Sequence, residues 1–65
     1  MTKKIALEIA ESIRLSAIRC SLVSSQHVAV ADELFAAVSH HTNMHYADFF
    51  TACGLEYSQG EWKTK

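Results

Sequence analysis

A mainly α chain is predicted: two longer helices plus a short third helix or strand element, assembled as an intertwined homodimer. Three observations carry this. Residues 5–23 contain no Gly or Pro and are apolar on two sides. A second stretch from His27 repeats apolar side chains at helical spacing and is amphipathic with a single seam. The chain has only 65 residues, of which 49% are hydrophobic. A domain this small buries only about 60% of its unfolded surface. Small scaffolds therefore add a disulfide, a metal or a partner subunit.

In the first helix, read from Ile5 to Val23, one broad stripe holds Ile5, Ala6, Ile9, Ala10, Ile13, Ala17, Cys20 and Val23. A second stripe holds Leu7, Leu15, Ile18 and Leu22. Narrow polar strips separate them, Glu8, Ser12 and Arg19 on one side and Arg14 and Ser21 on the other. A helix apolar nearly all round is normally buried on most sides. The rest of the chain is too short to cover both stripes, so Leu7, Leu15, Ile18 and Leu22 are assigned to a dimer interface.

Ser24-Ser25-Gln26-His27 is a turn whose serines suit a helix N-cap. The second helix is expected from near His27 to about His41. Val30, Ala31, Leu34, Phe35, Ala37 and Val38 form its apolar face, and Asp32, Glu33, Ser39 and His40 its polar one. Val28 and Val30 alternate as in a short strand, but Asp32-Glu33 and the Ala-rich run favour helix.

Thr42 to His45 breaks the chain, with Asn43 or His45 as cap for a third helix and Asp48 in its first turn. Tyr46, Phe49, Phe50 and Cys53 share one helical face, and Gly54 sits where a left-handed residue ends a helix. Leu55 is placed to fold back on Phe50. The rival is a strand around Met44 to Tyr46 pairing across a dimer axis. Leu55-Glu56-Tyr57 also alternates as a strand would. Residues 1–57 read as one helical dimerising domain and residues 58–65 as a frayed tail.

Composition narrows the function classes. Net charge is −1 and the pI about 6.4, whereas phosphate binding needs a basic face. No run reaches the roughly 18 apolar residues that span a bilayer. The start, Met1-Thr2-Lys3-Lys4, is basic, but Glu8, Glu11 and Arg14 interrupt the apolar run behind it. It does not form a signal-peptide core, and a cytosolic chain is expected. Cys20 and Cys53 both fall on apolar stripes, so both read as reduced core thiols.

Candidate chemistry is sparse. His40, His41 and His45 cluster near Cys53, but the regular ligand spacing of a zinc site is missing. His40 and His41 read as a helix end, with His41 packing partly on the core. Ser24, Ser25, His27 and Asp32 are the residue types of a triad, which geometry rather than presence defines. Two glycines cannot build a phosphate loop. No catalytic residue, cofactor or metal is expected. A DNA-binding helix-turn-helix would put Asp32 and Glu33, or Asp48 and Thr51, on its reading helix, the wrong charge for a groove. The aromatic group is the remaining lead. Phe49 and Phe50, adjacent on a short helix, cannot both point at one centre. Tyr46, Phe49, Phe50, Leu55, Tyr57 and Trp62 are assigned to a groove that accepts a partner's amphipathic helix.

The stretches Ile5-Ala6-Leu7-Glu8-Ile9-Ala10, Val28-Ala29-Val30-Ala31-Asp32-Glu33-Leu34-Phe35 and Asp48-Phe49-Phe50-Thr51-Ala52-Cys53-Gly54-Leu55-Glu56-Tyr57 resemble a small early-region protein of lambda-like temperate bacteriophages, a family encoded between the exonuclease and excisionase genes. The resemblance covers nearly the whole chain without a diagnostic catalytic motif. It implies a small helical dimer in the host bacterial cytoplasm that favours lytic development over lysogeny. Two readings follow: a non-enzymatic homodimer that binds a host or phage protein, and a small nucleic-acid-binding regulator of helix-turn-helix type.

Overall fold

The computed structural model describes residues 2–65; Met1, part of the basic start, lies outside them. The described chain is mainly α. Its elements are α1 (Lys3–Arg19), α2 (Ser24–Ser39), α3 (Tyr46–Ala52), β1 (Leu55–Ser58) and β2 (Glu61–Thr64).

Thr2 starts α1 by accepting a 3.2 Å hydrogen bond from the Ile5 N–H through its hydroxyl, which satisfies one of the orphan donors of the first turn. The helix stops four residues before Val23, at a Schellman end. Ser21 N–H donates to Ile18 O at 3.3 Å and Leu22 N–H to Ala17 O at 3.0 Å. This geometry needs a left-handed residue, and Ser21 supplies it at φ 52°. Any residue but Gly is strained there. Ser21→Gly is therefore expected to raise stability by about 0.5–1 kcal/mol, read as a higher urea midpoint. A lower midpoint would contradict this chain path.

α2 begins three residues earlier than expected. Its N-cap is Val23, whose N–H is taken by Gln26 Oε1 at 3.3 Å. The serines are not the caps: Ser24 Oγ accepts instead from the Thr64 N–H at 3.1 Å. The third segment is a helix at residues 46–52 and not a strand at 44–46. His45 caps it, Nδ1 accepting from the Ala47 N–H at 3.2 Å. Gly54 ends it at φ 83°, its N–H on Thr51 O at 3.1 Å.

Residues 58–65 are not a frayed tail. β1 and β2 pair antiparallel, with Leu55 opposite Thr64 and Ser58 opposite Glu61. Gln59 and Gly60 join them at φ 54° and 82°, both positive as a type I′ turn requires. A lone hairpin is marginal in water; this one is held by long-range contacts. Trp62 packs edge-on against Phe50 at 5.2 Å, and Thr64 is bonded to α2. A local reading of the sequence sees none of these partners.

The core lies where α1, α2, α3 and β1 meet. Ala6, Ala10 and Ile13 of α1 join Ala31 and Val38 of α2, Met44, Phe49, Phe50, Cys53 and Leu55. Alanines on α1 let the helix approach closely. The first stripe is accordingly only half used. Ile5, Cys20 and Val23, expected inside, are exposed. α2's single seam is also split: Ala31 and Val38 are buried, whereas Val30 and Leu34 are each 40% exposed.

Candidate functional site

The outer side of α1 carries uncovered apolar side chains. Leu7, Leu15 and Ile18 are 37%, 44% and 66% exposed. Leu22, grouped with them by sequence, lies elsewhere. It lines a cleft of about 270 Å³ between α1 and α2 with Ile9, Ser12, Ile13, Ser16, Val30 and Leu34. Ile18 lines a second cleft of about 270 Å³ with Arg14, Ala17, His27, Gly54, Thr64 and Lys65. Leu22 and Ile18 thus face different clefts, and Leu7 and Leu15 line neither. Leu22 leaves the stripe because the left-handed Ser21 turns the chain before a further helical turn can form.

The aromatic groove is not formed as expected. Phe49 is fully buried, Phe50 is 5% exposed and Leu55 1%, so all three are core. Both phenylalanines can point inward because Phe35 of α2 stands between them. Its ring centroid is 5.5 Å from Phe49 and 6.5 Å from Phe50. Trp62 then covers the outer side of Phe50. Of the six residues, Tyr46 and Tyr57 remain exposed, at 48% and 62%, with Trp62 half-buried between them.

His27 is the polar residue that sequence reasoning missed. It is 2% exposed. Its Nε2 lies 2.6 Å from Cys53 O and its Nδ1 3.1 Å from Thr64 Oγ1. A carbonyl only accepts, so Nε2 carries a proton and donates to Cys53 O, while Nδ1 pairs with the Thr64 hydroxyl, which can either donate or accept. One side chain ties α2 to the end of α3 and to β2. The signal was present: His27, Ala31 and Val38 recur on one helical face. Both ring nitrogens are occupied, so His27 has no nitrogen free to serve Ser24 or Asp32.

Of the three clustered histidines, His40 and His41 are exposed at the end of α2, and His41 does not pack on the core as expected. The chain turns away immediately after α2 and leaves both rings outside. His45 is spent on capping α3 and stacks on Tyr46 at 4.8 Å. No group of three metal-ligating side chains converges among the described residues. Both cysteines are free thiols. Cys53 is buried, and desolvation pushes its thiol up to about 12, which keeps it protonated and unreactive at neutral pH. Cys20 is the exception to the core-thiol reading: it follows α1 as an exposed C-cap.

Charge is local and balanced. Arg14 is paired with Glu11, its Nε donating to Oε2 at 3.1 Å. The guanidinium lowers the Glu11 carboxyl below its ordinary value and is itself raised, chiefly through that hydrogen bond. The Arg14 alkyl chain also crosses Gly54, where an added Cβ would meet Cγ at 2.8 Å. No described helix is long and apolar enough to cross a membrane. Compared with protein-family models, with curated proteins and with solved structures, the chain matches none of them.

Proposed function

We propose that this chain is a non-enzymatic association module that works as a homodimer and presents a surface to a protein partner. The observation that carries the reading is the uncovered side of α1, where Leu15 and Ile18 stand 44% and 66% exposed on an otherwise ordered helix. Large exposed apolar patches on small chains mark interaction surfaces. Covering what is exposed of these two side chains contributes about 1–2 kcal/mol each. Tyr46, Tyr57 and Trp62 are the aromatic contacts left for a further partner. The resemblance to the phage early-region family supplies the setting: the host cytoplasm early in infection, with the complex favouring lytic development. The nucleic-acid alternative has less support. α3 is seven residues long with Asp48 in its first turn, and Arg14 is already engaged by Glu11.

Sedimentation equilibrium at micromolar concentration is expected to give twice the chain mass. Leu15→Asp should return a monomer with unchanged far-ultraviolet circular dichroism, because the inward side of α1 rests on Ala6, Ala10, Ile13 and Ala17. A wild-type monomer at these concentrations would overturn the reading.

A further inference from the structure

We infer that the surface beside the α1–α2 cleft binds a second copy of this chain with the two α1 helices antiparallel, each Glu8 facing Arg19 of the other copy. This rests on the homodimer reading above and names its geometry: Leu15 enters the contact, and Ile18, which lines the cleft on the other flank of α1, stays outside it. Glu8, Ser12, Leu15 and Arg19 are spaced i, i+4, i+7 and i+11, one face of a helix, and all four are exposed. The acidic residue stands near one end of this row and the basic residue near the other. A two-fold interface brings each residue of one copy against its counterpart in the other and the reverse. Antiparallel helices centred between Ser12 and Leu15 therefore make two Glu8–Arg19 pairs. A parallel pair would set Glu8 on Glu8 and Arg19 on Arg19. Among the described residues the only ion pair is Arg14–Glu11, so both charges are available.

The centre of the row fits as well. Leu15 comes opposite Ser12, a large side chain against a small one, which lets the helices approach. The Ser12 hydroxyl already donates to Glu8 O at 3.1 Å, so covering it leaves no donor unmatched. Ile5, 45% exposed, flanks the row on the side of the cleft. A stable interface takes roughly 800 Å² per partner, about a fifth of the 4343 Å² the single chain exposes. α1 has 17 residues and is about 25 Å long, too little surface from one helix face alone. The cleft rim on α2, Val30 and Leu34, must join the contact, which accounts for their exposure.

The test is a charge exchange read by sedimentation equilibrium, with circular dichroism to verify folding. Glu8→Arg and Arg19→Glu should each weaken the homodimer about tenfold or more, since each substitution turns two attractive pairs repulsive. An equimolar mixture of the two variants should recover dimer mass as a heterodimer. The double variant, Glu8→Arg with Arg19→Glu, should dimerise as wild type does. If all variants dimerise with unchanged affinity, the copies meet elsewhere and this geometry is overturned while the homodimer reading stands. If the single changes weaken the dimer and neither mixing nor the double exchange restores it, the antiparallel register is overturned. If wild type is monomeric, the homodimer reading fails and this inference with it.

Discussion

Phe49→Ala is expected to leave the chain unfolded at ordinary temperatures. Phe49 is fully buried and is the largest side chain at the centre of the core. It packs on Phe35 with ring centroids 5.5 Å apart, and Phe50, Cys53 and Leu55 belong to the same cluster. Truncating a buried Phe to Ala costs about 3–5 kcal/mol in lost transfer energy and cavity. Folded domains hold about 5–15 kcal/mol, and one of 65 residues sits at the low end. The loss therefore consumes most or all of the folding free energy of a single subunit. Urea titration followed by circular dichroism measures it directly. Tyr57→Ala is the control: that ring is 62% exposed and its removal should cost about 1 kcal/mol or less. Equal effects at the two positions would refute the division of the aromatics into core and surface.

His27→Ala is expected to undock the hairpin before the helices melt. The substitution removes two hydrogen bonds and leaves Cys53 O without its partner in a buried place, while the hydroxyl of exposed Thr64 turns to water. An unsatisfied buried group costs about 1–3 kcal/mol, and the vacated ring volume adds a cavity. β2 loses one of its ties to α2, keeping the Ser24–Thr64 hydrogen bond. Trp62 is the only tryptophan and sits in β2 against Phe50, so its emission reports the docking. The expected result is a red-shifted Trp62 emission and a melting midpoint lowered by an amount corresponding to about 2–4 kcal/mol. Ser24→Ala should shift both much less, because it removes one exposed bond. Unchanged emission and midpoint in His27→Ala would show that the histidine does not hold the hairpin.

The two long helices, the helical third segment and its end at Gly54 were legible from local pattern alone. Apolar residues three and four apart and a glycine after Cys53 are short-range signals, and helix formation is itself short-range; the break between the long helices was placed at Ser24–His27 and lies at Cys20–Val23. The same logic fails for β2. A strand with few alternating residues has no local stability, and Glu61 to Thr64 becomes a strand only because β1, Phe50, Ser24 and His27 are beside it. It fails also for the choice between core and surface. Periodicity identified both apolar sides of α1, and composition identified more apolar surface than 65 residues can hide. Which side is covered depended on how close the helices approach, and the alanines at 6, 10 and 17 decided that. The aromatic cluster was misjudged for the same reason. Two adjacent phenylalanines diverge on an isolated helix, but Phe35, reaching from α2, gives both a partner on the inside. Residue spacing along one helix thus determined which side chains share a face. Contacts between segments distant in sequence decided which of those faces stayed open: the row from Glu8 to Arg19 and the rim at Val30 and Leu34.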